Sequence, residues 1–194
     1  GKIIILEHKK LHEVVSRHTR ELPIADLKFS PDARFLATVC LDGSLDVYDA
    51  QVEYELVGSA SSTPGSGLMH LDWSADSLFI QTDNTERLHQ YWDATAVVEK
   101  IEGEEQLART KWHTWTCIYG WSVRGLVPRM GEPVGLNAVA RTNSGDVLAV
   151  ANDFGLVRLY RFPCPYVGSK HKRYAGHSSL VSKCCFTYDD KYLI

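Results

Sequence analysis

The stretch Ile24-Ala25-Asp26-Leu27-Lys28-Phe29-Ser30-Pro31-Asp32-Ala33-Arg34-Phe35-Leu36-Ala37-Thr38-Val39 continues through Asp42-Gly43 into Leu45-Asp46-Val47-Tyr48-Asp49. It consists of three short apolar runs separated by turn residues. Pro31-Asp32 and Asp42-Gly43 supply the turns, because Gly tolerates positive φ and Asp bonds its own backbone. Leu45-Asp46-Val47-Tyr48 alternates apolar with polar, the period of a strand. The same text recurs along the chain. Setting Phe29 on Trp73 places Phe35 on Phe79 and Leu36 on Ile80, a shift of 44 residues. A third copy has Arg141 in that slot, followed by Val147-Leu148 and the alternating run Val157-Arg158-Leu159-Tyr160. A fourth starts at Phe186, with Tyr192 and Leu193 in register.

A period of about 40 to 45 residues, with three or four short strands per copy, is the sequence mark of a β-propeller. One blade cannot bury both of its faces, so blades must stack on neighbours. The expected fold is therefore all-β, a partial propeller of several four-stranded blades whose ring is not complete within this chain. A seven-bladed ring needs roughly 300 residues at that period, and this chain has 194. The boundaries expected are the last strands of a preceding blade over 1–20, a blade over 21–58, a second over 59–101, an irregular Trp-rich segment over 102–133, a third blade over 134–166, and the truncated start of another over 167–194. Helical periodicity is confined to a short stretch between Glu102 and Lys111. The chain starts without Met and stops within the apolar run Tyr192-Leu193-Ile194, which reads as a fragment. Open strand edges in such a piece invite aggregation.

Composition narrows the function classes. With 44% hydrophobic and 23% charged residues the chain is globular in character, and its net charge of −3 argues against a nucleic-acid binder. No apolar run reaches the roughly 18 to 20 residues that span a bilayer, and Glu7, His8, Lys9 and Lys10 interrupt the start in a way a signal peptide does not. The expectation is thus no nucleic acid and no membrane. Five cysteines, without CxxC spacing, read as reduced thiols of a cytosolic protein. Charge divides unevenly: residues 1–100 hold 9 basic and 16 acidic side chains, and residues 101–194 hold 12 and 8.

The copies resemble WD repeats, although Trp-Asp itself is scarce. Tyr48-Asp49, Tyr91-Trp92-Asp93 and Tyr160-Arg161 stand where that dipeptide falls, and Gly176-His177 matches the Gly-His that opens such a repeat. The resemblance implies a buried hydrogen-bond network that locks each blade. Here its members would be His18, Thr38, Asp42 and Tyr48, with Gly176 and His177 in the blade that follows. Four further stretches narrow the match: Trp112-His113-Thr114-Trp115-Thr116-Cys117-Ile118-Tyr119-Gly120-Trp121 followed by Val123-Arg124-Gly125-Leu126-Val127-Pro128, Asn152-Asp153-Phe154-Gly155-Leu156-Val157-Arg158-Leu159-Tyr160-Arg161-Phe162-Pro163-Cys164, Tyr174-Ala175-Gly176-His177-Ser178-Ser179-Leu180-Val181, and Leu71-Asp72-Trp73-Ser74. In this order they resemble the echinoderm microtubule-associated protein-like family, mainly the second propeller of its tandem atypical propeller domain. The resemblance implies a module of a microtubule-associated protein, in cytoplasm and on the cytoskeleton, with tubulin or microtubules and other proteins as partners. A generic scaffold for ciliary or signalling complexes is the rival reading.

Catalytic signatures are missing from the sequence: there is no nucleophile elbow, no HExxH and no phosphate loop. The Ser59–Gly67 stretch lacks the GKS/T ending, and reads as a flexible connection. Cys164, His171, His177 and Cys184 do not reproduce a zinc-finger spacing. No enzyme and no cofactor are expected. The basic cluster Lys170, Lys172 and Arg173 reads first as a solvated loop between blades; it is also the candidate partner-binding feature, since an acidic protein such as tubulin would be steered to it. Trp112, Trp115 and Trp121 read as core.

Overall fold

The computed structural model describes residues 1–18, 20–126 and 135–194. Strands β1 (Lys2–Leu6) and β2 (Glu13–His18) pair as a two-stranded antiparallel sheet. Three four-stranded antiparallel sheets follow, each meandering in chain order. The first holds β3 (Ile24–Phe29), β4 (Phe35–Cys40), β5 (Ser44–Asp49) and β6 (Glu55–Ser61). The second holds β7 (Leu68–Trp73), β8 (Phe79–Asn84), β9 (His89–Asp93) and the two-residue β10 (Val98–Glu99). After helix α1 (Gly103–Gln106) and a 3-10 turn at Trp121–Leu126, the third is built from β11 (Leu136–Arg141), β12 (Val147–Asn152), β13 (Leu156–Arg161) and β14 (His171–Ala175). These are propeller blades.

The repeat register read from the sequence is the register of the sheets. Phe29 pairs with Leu36, Trp73 with Ile80, Arg141 with Leu148 and Phe186 with Leu193. Each first turn is closed by one hydroxyl. Ser30 accepts from the Phe35 N–H and Ser74 from the Phe79 N–H, both at 2.9 Å. Thr142 accepts from Val147 and Thr187 from Tyr192, both at 3.1 Å. Asp32, Asp76 and Asp189 brace the turn by accepting from the Ser30, Ser74 and Thr187 hydroxyls. The recurring Ser or Thr is thus the cap that a two-strand turn requires, buried at Ser30, Ser74 and Thr142.

Two boundaries differ from the expected ones. β6 runs to Ser61, so residues 59–61 finish the first blade. The third blade does not end at residue 166: β14 pairs along β13, Lys172 opposite Leu159 and Arg173 opposite Arg158, as its fourth strand. Pro163, Pro165 and Gly168 make the preceding connection look like a terminus, and the charge of the next residues hides a strand. An outermost strand tolerates that charge because its edge faces solvent.

The chain divides into two compact units, residues 1–113 and 114–194. In the first, Ala37, Val39, Leu45 and Val47 of one blade close on Leu71, Trp73, Ile80 and Trp92 of the next in a continuous apolar core. Alongside it runs a polar clasp between inner strands. Lys28 contacts Asp26 at 3.2 Å and the fully buried Asp72 at 3.1 Å, and the Trp73 indole donates to the Lys28 carbonyl at 3.0 Å. In the second unit Val139, Leu148, Val150 and Tyr160 of the blade are buried, as are Trp115, Cys117, Val123 and Leu126 of the irregular segment.

Candidate protein-interaction surface

β14 carries the basic cluster. Lys170 immediately precedes it, Lys172 and Arg173 lie within it, and the whole strand is exposed. The cluster was expected as a loop; the structure makes it an edge strand, because β13 offers it a complete antiparallel ladder. None of Lys170, Lys172 or Arg173 forms an ion pair among the described residues. Arg173 stands directly opposite Arg158, whose buried Nε has no hydrogen-bond partner among the described residues. Like charges in one cross-strand row repel.

A groove runs beside the strand, with Leu159, Tyr160, Phe162 and Pro163 as its apolar floor and Lys170 and Lys172 on its rim. His171 lies over Tyr160 with ring centroids 4.8 Å apart, and its Nδ1 is 3.2 Å from the Ser169 carbonyl. The Trp-rich segment holds the groove's base in place. Gly125 donates to the Cys164 carbonyl at 2.7 Å and Cys164 donates to Ser122 at 2.8 Å. Only glycine fits at 125, since a Cβ there would meet the Cys164 carbonyl and lie 2.6 Å from that of Tyr166. Trp115 packs on Phe162 at 5.1 Å and donates to the Cys117 carbonyl at 3.0 Å. Trp112 and Trp115 are buried, whereas Trp121 is about half exposed.

The blade-locking residues are placed as follows. Thr38 and Tyr48 are buried in the first blade, while Asp42 caps its own turn by accepting from the Ser44 N–H at 2.9 Å. Partial burial works to raise the Asp42 pKa, but the Ser44 hydrogen bonds outweigh it and hold the carboxyl below the ordinary range. The His18 side chain lies outside what the structure describes. Gly176 and His177 are exposed, and the His177 carbonyl lies against Gly155.

A different polar centre occupies the first blade. Asp46 was read as the polar member of an alternating strand, yet it is buried. Arg20 grips it with two bonds, Nε to Oδ2 at 2.9 Å and a terminal nitrogen to Oδ1 at 2.5 Å, and Tyr48 donates to it at 3.4 Å. Ser59 also donates to Asp46. The Asp46 hydrogen bond raises the Arg20 pKa further, against a smaller opposing effect of burial. The 26-residue separation of Arg20 and Asp46 left no local pattern to find.

In the second blade the Trp92 indole donates to Thr82 at 2.8 Å, and Asn84 donates to Ser62 and Ser66, both at 3.2 Å. Ser62 and Ser66 therefore belong to a buried network and not to a loose connection. His70 bonds Asp83 at 2.8 Å; burial opposes its protonation, but the Asp83 hydrogen bond and charge prevail and raise its pKa. His89, opposite Asp83, has both ring nitrogens buried without hydrogen-bond partners among the described residues, and burial drives its pKa down to about 4.

Among the described residues no three His, Cys, Asp or Glu side chains converge to hold a metal ion. Burial lifts the Cys164 and Cys184 thiols to about 11, which keeps them protonated and poor ligands. No helix among the described residues is long and apolar enough to cross a membrane.

Comparison with known proteins agrees with this architecture. A solved chain from the crystal structure of the mitotic checkpoint complex superimposes with a TM-score of 0.71 over the whole of this chain and 64% of that one, at 13% identity. That likeness concerns the fold alone. Echinoderm microtubule-associated protein-like 2 of Rattus norvegicus is 34% identical over 197 residues, covering the whole of this chain. Echinoderm microtubule-associated protein-like 3 of Mus musculus is 30% identical over 201 residues and protein-like 4 of Homo sapiens 29% over 198. The chain spans 30%, 22% and 20% of the length of these three relatives. The family model for the second β-propeller of echinoderm microtubule-associated protein matches residues 1–194, and the chain therefore belongs to that family as a partial propeller.

Proposed function

We propose that this chain is a non-catalytic interaction module of a microtubule-associated protein, and that it contacts tubulin through β14 and the groove beside it. The observation that carries the reading is a set of three cations with no ion pair among the described residues, Lys170 just before the exposed outer strand of the third blade and Lys172 and Arg173 on it. Long-range attraction to an acidic surface sets orientation and on-rate, and an apolar groove supplies contact once docked. The relatives' names, which include the words microtubule-associated, support the same partner and a place on the cytoskeleton in the cytoplasm. Thr38 and Tyr48, buried in the first blade, and Asp42, which caps its own turn, serve the fold.

A second reading, a scaffold for other proteins without tubulin contact, draws on the acidic character of residues 1–100, with 16 acidic against 9 basic side chains. Capture of purified tubulin by the full chain separates the two. Changing Lys170, Lys172 and Arg173 to Glu abolishes capture under the first reading. Capture that is absent in the wild type favours the scaffold.

A further inference from the structure

We propose that the free edge of β14 accepts an extended acidic segment of a partner as a fifth antiparallel or parallel strand of the third blade. The inference rests on the surface assigned above being used, though not on tubulin being what uses it. Strand order β11-β12-β13-β14 leaves β14 with one neighbour. Among the described residues its backbone makes no hydrogen bonds outside the ladder to β13. Ladder pairing engages the backbone of alternate residues on each side, so the others point their N–H and C=O groups outward, ready for another chain.

Charge selects the occupant. Lysine at an edge guards against pairing with a neutral or basic strand, and admits an acidic one. The row Val150, Arg158, Arg173 ends in two arginines with no carboxylate in the row, and the Arg158 Nε has no hydrogen-bond partner among the described residues. A carboxylate from an added strand would extend that row and neutralise it, and a second, two residues on, would meet the His171 row. Residues of the added strand in the intervening rows would face the side of Lys172 and Tyr174, whose rows hold Leu159 and Val157 and suit an apolar or aromatic side chain. The last strands of the other two four-stranded blades lack this match. β10 has two residues, and β6 carries Glu55 and no basic residue. The segment sought is therefore acidic, at least five residues long, and alternates carboxylates with apolar residues.

The test uses the full chain and a fluorescent nine-residue peptide alternating Glu with Val and one Tyr. Its arms are the parent peptide, two versions N-methylated on alternate residues in either frame, and a version with Lys for Glu. N-methylation removes the strand-forming donors and leaves the charge, and it changes no residue of the protein. Binding is read by fluorescence anisotropy, and hydrogen exchange is followed over residues 171–175. The parent peptide is expected to bind and to slow exchange there. N-methylation in one frame should weaken binding at least tenfold, and the Lys peptide should not bind. Equal binding of all Glu peptides, or unchanged exchange in β14, overturns strand addition. A tubulin-capture assay run in parallel keeps the two ideas apart. Tubulin captured without slowed exchange at β14 overturns strand addition and leaves the tubulin reading. Peptide pairing without tubulin capture overturns the tubulin reading and leaves strand addition.

Discussion

Arg20 and Asp46 illustrate how much one buried charge decides in this chain. Asp46 sits in a strand whose other members are Leu45, Val47 and Tyr48, and only the bidentate guanidinium and two hydroxyls make its burial tolerable. Removing the cation leaves the carboxylate stranded, a loss of about 3 to 5 kcal/mol for a buried pair. Arg20 is partly exposed, so the lower end of that range applies to Arg20→Ala, read from the urea midpoint of the full chain. Tyr48→Phe removes the 3.4 Å hydrogen bond to Asp46, a loss of about 1 kcal/mol for a bond of that kind.

His89 gives a second prediction at the same scale, concerning pH. The unfolded chain takes up a proton near 6.5 at this residue, whereas the folded one resists until about 4. Stability contributed by a neutral His89 is full above 6.5 and declines as pH falls, by about 2 kcal/mol at pH 5 at 1.36 kcal/mol per unit. His70, with its raised pKa, works in the opposite sense: its contribution is present at low pH and is lost as pH rises. Denaturation between pH 7.5 and 5, above the carboxylate range, should therefore show the wild type weakening towards acid. In His89→Gln that slope disappears or reverses.

Among elements, the connection into β14 depends on the Trp-rich segment. Gly125 lies so close to the Cys164 and Tyr166 carbonyls that any side chain must push the connection outward. Gly125→Val should raise hydrogen exchange through residues 171–175 and leave exchange in β3–β5 unchanged. Equal protection of β14 in both proteins would mean that the segment does not position the strand. The contrast between legible and hidden elements follows from range. The inner strands of every blade were readable because Ser30, Ser74, Thr142 and Thr187 close local five-residue turns, which repeat in the text. β14 was hidden because an edge strand needs no apolar alternation, and its five exposed residues resemble a loop. The network of Ser62, Ser66 and Asn84 was hidden for a related reason. Small polar residues bury well once they satisfy one another, and nothing in a Ser-rich run announces its partner across the sheet.

At the scale of the molecule, the fold and family were legible in the repeat text and the Trp-rich signature, while the proposed interaction surface was only half so. Lys170, Lys172 and Arg173 were visible as charge, but the strand that displays them and the groove beside it needed the pairing of β13 with β14. The charge imbalance then acquires a direction. Residues 1–100 are acidic and should repel an acidic partner, so a steered encounter falls on the second unit.

The measurement that bears most directly on this account is the affinity of soluble tubulin for the full chain at several salt concentrations, wild type against Lys170→Glu, Lys172→Glu, Arg173→Glu combined. The account predicts wild-type binding that weakens as salt rises. The triple variant should bind at least tenfold more weakly at low salt and have lost most of the salt dependence. Equal affinity and equal salt dependence in the two proteins would contradict it and remove β14 from the tubulin contact.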